Sequence, residues 1–107
     1  EGPYAMTKAA TAMLVRNAAA EYAAKGIRVN GICPTFVRTG MTASIAELDT
    51  FKEFLPTFIP TGRMEEVTDI ANAAVFLTSP ESNFLTGILL PVDGGESVCR
   101  PEVPELT

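Results

Sequence analysis

The sequence predicts an α/β fold built on a parallel sheet, and three features carry that expectation. An Ala-rich stretch runs up to Gly26; a short apolar run, residues 27–33, follows at once between Gly26 and Pro34; a second helical pattern over residues 67–78 leads to another apolar run at 88–92. Helix, tight turn and buried strand make the helix–strand half of a βαβ unit. A short run that is apolar on both faces belongs in a parallel sheet covered on both sides.

The first helix is expected over residues 3–25. Pro3 suits a first turn, and Gly26 supplies a left-handed stop. Ala9, Ala10, Ala12, Ala18, Ala19, Ala20, Ala23 and Ala24 make the helix both stable and thin. Thin faces admit close neighbours, so burial on more than one side is expected. The strand 27–33 comes next, and ligands of such sheets bind at the carboxyl ends of the strands. The loop that follows is therefore the first place to seek substrate contacts.

That loop, residues 34–62, is long for a compact domain and is expected to carry structure of its own. Residues 41–48 and 49–55 read as two short amphipathic helices, with Ile45, Leu48, Phe51, Phe54 and Leu55 as the apolar set. The segment is either an apolar substrate cover or a piece packed on the body. In the helix at 67–78, Val67, Ile70, Ala71, Ala74 and Leu77 recur at helical spacing. Glu65, Glu66 and Asp69 crowd its expected first turn, where the helix dipole favours negative charge. Ser79-Pro80 ends it. Pro91 inside the strand at 88–92 argues for an edge position, Asp93-Gly94-Gly95 reads as a turn, and 96–107 as a frayed tail.

Composition narrows the function classes. At 107 residues the chain is one domain or less, and 47% apolar with 20% charged residues reads as globular. No apolar run approaches the ~20 residues of a membrane span. A net charge of −5 without a basic cluster argues against nucleic acid. Cys33 in an apolar strand and Cys99 in a polar tail suggest neither a disulfide framework nor a metal site, and the chain has no His. A reducing cytoplasm fits.

Chemistry enters with Tyr4-Ala-Met-Thr-Lys8. Residues four apart on a helix share a face, about 6 Å from one another. An ammonium ~5 Å from a phenol at an effective dielectric of ~20 contributes about 3 kcal/mol. That brings the phenol well down toward the neutral range where general acid–base groups work best. The same spacing also occurs on ordinary solvated helix faces.

Further residues keep step with this pair: Gly26-Ile-Arg-Val-Asn-Gly-Ile-Cys-Pro34, Thr39, Gly62-Arg63, Phe76-Leu-Thr-Ser79, Thr86-Gly87 and Val92-Asp-Gly-Gly95. From Tyr4 to Gly95 this order resembles the C-terminal half of a short-chain dehydrogenase/reductase. The resemblance implies the C-terminal part of a Rossmann-type doubly wound parallel sheet, in the order helix, strand, lid, helix, strand. It makes residues 1–95 that part and 34–62 its substrate lid.

It also implies an oxidoreductase that interconverts an alcohol and a carbonyl with NAD or NADP. Tyr4 is then the proton donor or acceptor, and Lys8 tunes it and holds the cofactor ribose. Pro34, Val37 and Thr39 line the nicotinamide, with Thr39 on the carboxamide, and Phe36 and Met41 meet an apolar substrate. Thr35 stands where the family has Gly, and its side chain is expected to crowd the nicotinamide face. Arg63 is expected in an ion pair or cap, and Asp93-Gly94-Gly95 in a structural turn. The helix at 3–25 is expected to form a homodimer or homotetramer interface.

The family's Gly-rich phosphate loop, ribose selector, structural Asn and catalytic Ser belong to its N-terminal half and are not among these residues. The chain is therefore expected to be part of a longer polypeptide. A different reading is a truncated, non-catalytic relative that serves as an oligomerisation or partner-binding module. A Gly-rich turn and a Ser about a dozen residues before Tyr4 would separate the two.

Overall fold

The computed structural model describes residues 2–98; the side chains of Gly2, Tyr4 and Ala5, and residues 99–107 with most of the expected tail, lie outside that description. The helices are α1 (Gly2–Tyr22), α2 (Ala43–Ala46), α3 (Asp49–Phe58) and α4 (Val67–Thr78), and the strands are β1 (Gly31–Pro34), β2 (Val37–Arg38), β3 (Glu65–Glu66) and β4 (Leu89–Val92). β1 neighbours β4 in one two-stranded sheet, and β2 pairs with β3 in another. Two compact units share the chain, Glu1–Ile32 with Ala73–Leu90 and Cys33–Asn72 with Pro91–Thr107. Among the described residues no helix is long and apolar enough to cross a membrane.

In the first unit, α1 passes into a tight turn, Ala23–Lys25, and stops at Gly26. Gly26 has φ 77°, and its N–H donates to the Ala23 carbonyl at 3.0 Å. Only glycine adopts that conformation without cost, so the predicted stop is the observed one. The buried and half-buried side chains described on α1, Ala12, Val15, Ala18 and Ala19, share one face. A Cβ built on Gly31 would stand 3.6 Å from Val15, and one on Gly87 3.4 Å from Ala19, so the chain approaches the helix closely at both glycines. Ala19 is buried there, whereas Met6, Met13 and Leu14 are 73%, 51% and 68% exposed. Among the described residues the small side chains of α1 admit close neighbours at Val15 and Ala19.

β1 is shorter than the predicted strand, beginning at Gly31 rather than at residue 27. The residues just before it are tied to 85–88 by both backbone and side chains: the Val29 carbonyl accepts Gly87 N–H at 2.8 Å. Val29 N–H donates to Thr86 Oγ1 at 3.2 Å, and the Asn30 carboxamide donates to the Leu85 carbonyl and accepts from Ile88 N–H. Nor is β1 buried on both faces: Gly31 and Ile32 are half-buried, Cys33 and Pro34 exposed. Among the described residues its one neighbour in the sheet is β4. β4 takes the predicted place, with Pro91 exposed on it.

The second unit has its own core of Leu55, Ile59 and Met64, with Ala46, Phe51 and Phe58 packed against it. α3 runs through Pro56 to Phe58, three residues past its expected end. An interior proline costs about 3 kcal/mol. Each large apolar side chain buried returns ~1.5–3 kcal/mol, and carrying the helix onward seats Phe58 and Ile59, so burial wins. Within this unit part of 34–62 packs into the core through Phe51, Leu55, Phe58 and Ile59.

Glu65 and Glu66 are not helical as predicted. They form β3, which runs parallel to β2 in the register Val37↔Glu65 and Arg38↔Glu66. Asp69 then caps α4, its Oδ2 accepting Glu66 N–H at 2.7 Å. At the far end of the unit Asp93 Oδ1 accepts Gly95 N–H and Oδ2 accepts Ser97 N–H, which makes Glu96–Val98 an ordered turn at the start of the expected tail. Gly94 has φ 61°, and a Cβ there would overlap Thr61 Oγ1 and lie 2.8 Å from Ile59, so only glycine fits.

Candidate active site

Tyr4 and Lys8 both belong to α1, one turn apart, in the first unit. The Tyr4 side chain lies outside the described residues, and Lys8 is exposed. The helical backbone satisfies the spacing that the pair requires.

The loop residues assemble in the second unit. Pro34 is exposed, Val37 half-buried in β2 and Thr39 exposed just beyond it. Phe36 is 47% exposed, its ring edge-on to Phe58 at 5.1 Å and to Phe51 at 6.2 Å; Phe54 meets Phe58 at 4.9 Å. Met41 is 91% exposed. The segment therefore shows an apolar aromatic side next to a short polar strand.

Thr39 is held in a defined state. Thr42 Oγ1 accepts Thr39 N–H at 2.8 Å and reaches the Val37 carbonyl at 2.8 Å. Its one proton goes to that carbonyl, so in the 3.3 Å contact between the two hydroxyls Thr39 is the donor. The lone pairs of Thr39 Oγ1 are then left to accept from an external N–H, as a carboxamide would offer.

Thr35 is half-buried at the start of this loop. No non-glycine residue among those described has a positive φ, so Thr in place of Gly brings no backbone strain. Its hydroxyl is buried, in a polar cleft of about 230 Å³ whose lining includes Thr61, Glu65, Asp69, Asn72 and Asp93. Glu65, which the sequence reading placed only in a helix turn, is 5% exposed. Its Oε1 accepts Thr35 N–H at 2.9 Å.

Arg63 forms the expected ion pair. Its NH1 and NH2 donate to Asp69 Oδ2 and Oδ1 at 2.9 and 3.1 Å, and NH1 also reaches the Met64 carbonyl. The hydrogen bond from Arg63, then that from Glu66 N–H, holds the Asp69 carboxyl below its ordinary value, and the Asp69 bond and charge push Arg63 up. A carboxyl depressed on folding stabilises the fold above the unfolded carboxylate range, and that contribution is lost as pH falls through the folded value. Asp69→Asn is therefore expected to lower the melting temperature at neutral pH, with the difference from wild type shrinking as pH falls below the ordinary carboxylate range. Thermal unfolding followed across pH checks this.

A family model described as Enoyl-(Acyl carrier protein) reductase matches residues 1–97. The galactitol 2-dehydrogenase (L-tagatose-forming) of Cereibacter sphaeroides is 42% identical over 95 residues, which are 89% of this chain and 37% of that protein. A short-chain type dehydrogenase/reductase from Mycobacterium ulcerans superposes with a TM-score of 0.82 at 38% identity, over 96% of this chain and 38% of that one. A gluconate 5-dehydrogenase from Burkholderia cenocepacia, solved with NADP and tartrate, superposes with a TM-score of 0.80 at 36% identity, over 92% of this chain and 38% of that one. The chain belongs to the short-chain dehydrogenase/reductase family and shares its Rossmann-type fold. It spans less than two fifths of the length of these three relatives.

Proposed function

We propose that these residues form the catalytic and nicotinamide-lining part of an NAD- or NADP-dependent oxidoreductase that interconverts an alcohol and a carbonyl. The observation that carries this reading is the match across residues 1–97, with Tyr4 and Lys8 one turn apart on α1 inside it. When bound, the dinucleotide supplies or accepts the hydride. Tyr4 gives a proton to the carbonyl oxygen or takes one from the alcohol, while Lys8 favours the phenolate and donates to the ribose. Pro34, Val37 and Thr39 face the nicotinamide, a role that suits the exposed Pro34 and the free lone pairs of Thr39. Phe36 and Met41 offer apolar surface to the substrate.

The polypeptide that works is of the relatives' length, with its dinucleotide phosphates held outside this chain. The exposed Met6, Met13 and Leu14 on α1 suit a homodimer or homotetramer interface there. That surface alone would serve the non-catalytic module equally well, so turnover is the deciding experiment. Full-length protein supplied with NAD⁺ or NADP⁺ and a panel of secondary alcohols is expected to produce reduced nicotinamide, read by absorbance. Cofactor binding without turnover of any alcohol or carbonyl would favour the non-catalytic module.

A further inference from the structure

We propose that Glu65 is a positioning residue, which fixes the segment from Thr35 to Val37 and through it the nicotinamide side of the cofactor site; this rests on the role given above to residues 34–39. Three contacts from one residue act on three consecutive residues. The Glu65 carboxylate accepts Thr35 N–H at 2.9 Å, its own N–H donates to the Phe36 carbonyl at 2.9 Å, and its backbone pairs in register with Val37. Pro34 has no N–H, so Thr35 carries the first donor of the loop after β1, and Glu65 takes it.

Burial sharpens the point. Glu65 is 5% exposed, and its second oxygen, Oε2, is buried with no hydrogen-bond partner among the described residues, as is Thr35 Oγ1. A buried carboxylate is costly unless it is hydrogen-bonded. The neighbouring Arg63 does not neutralise it, since its guanidinium pairs with Asp69 and the Met64 carbonyl. A bond to an ionised acceptor is shorter and stronger than a neutral one. The energy of that bond is spent on one backbone N–H, next to the residues that meet the nicotinamide.

The test uses the full-length enzyme and two probes, NADPH or NADH and the matching ADP-ribose fragment, which lacks the nicotinamide. Glu65→Ala is expected to weaken dinucleotide binding about tenfold, the worth of one hydrogen bond to a charged group. The ADP-ribose fragment should bind within about twofold of wild type. Glu65→Gln keeps the acceptor and should restore the dinucleotide to within about threefold. Glu65→Asp keeps the charge but draws it back from Thr35, and should resemble Glu65→Ala; it also serves if the alanine variant does not fold. Equal weakening of both probes, or no weakening of either, overturns the inference. Thr39→Ala separates it from the underlying reading. If that variant loses dinucleotide selectively and the Glu65 variants do not, only Glu65 loses its role. If Thr39→Ala binds both probes as wild type does, the nicotinamide role of the loop is itself wrong.

Discussion

Tyr4→Phe in the full-length enzyme is expected to lower kcat by a factor of about 10²–10⁴, the range of a single general acid or base. The dissociation constant for NAD(P)H should stay within about twofold. The substitution removes one hydroxyl and leaves the ring, so α1 and its packing are unchanged. A residue that only bound cofactor would show the opposite split, with weaker binding and intact turnover at saturation. Side-by-side steady-state kinetics and cofactor titration check both halves. Turnover within threefold of wild type would remove Tyr4 from the chemistry.

Lys8→Met is expected to damage both quantities, because one ammonium serves two oxygens. Loss of the ribose contact should weaken NAD(P)H about tenfold, as for a hydrogen bond from a charged donor. Loss of the nearby positive charge withdraws about 3 kcal/mol from the phenolate, so turnover at neutral pH should fall about a hundredfold. Methionine matches the stem of Lys and helix propensity changes little, so the fold is preserved. Lys8→Arg keeps the charge but spreads it over a planar fork, and is expected to recover part of the turnover and little of the ribose contact. Cofactor affinity equal to wild type in Lys8→Met would contradict the ribose role.

Much of the fold was legible in local chemistry. Gly26 ended α1 where a left-handed residue was needed, and the stripe Val67, Ile70, Ala71, Ala74 and Leu77 marked α4 to the residue. Arg63 and Asp93 took the pairing and turn roles read from the sequence. What escaped was non-local. The parallel pairing of Val37 with Glu65 joins residues far apart in the chain, and nothing in Glu65-Glu66 distinguishes a strand from a charged helix start. Glu65 is held by residues 35–37, far from it in the chain, so its burial had no signal in its sequence neighbours. The length of α3 was misjudged for a related reason. Pro56 marks a local stop, but the burial that carries the helix past it depends on Met64, which a local pattern does not see.

The same ignorance of tertiary partners explains α1. Its alanines predicted close approach, and Gly31 and Gly87 do come close, yet the number of covered sides depends on what else lies nearby. For the proposed site, the motif pointed to Pro34, Val37 and Thr39, while the hydroxyl relay from Thr39 through Thr42 to the Val37 carbonyl needed coordinates.

The most direct measurement is the pH dependence of kcat/KM for alcohol oxidation, wild type against Lys8→Met. If the Lys8 ammonium holds the Tyr4 phenol in its reactive form, the low-pH limb of the wild-type profile reports that phenol and moves to higher pH when the ammonium is removed. A limb that stays at the same pH in both proteins would mean the two residues do not work as a pair.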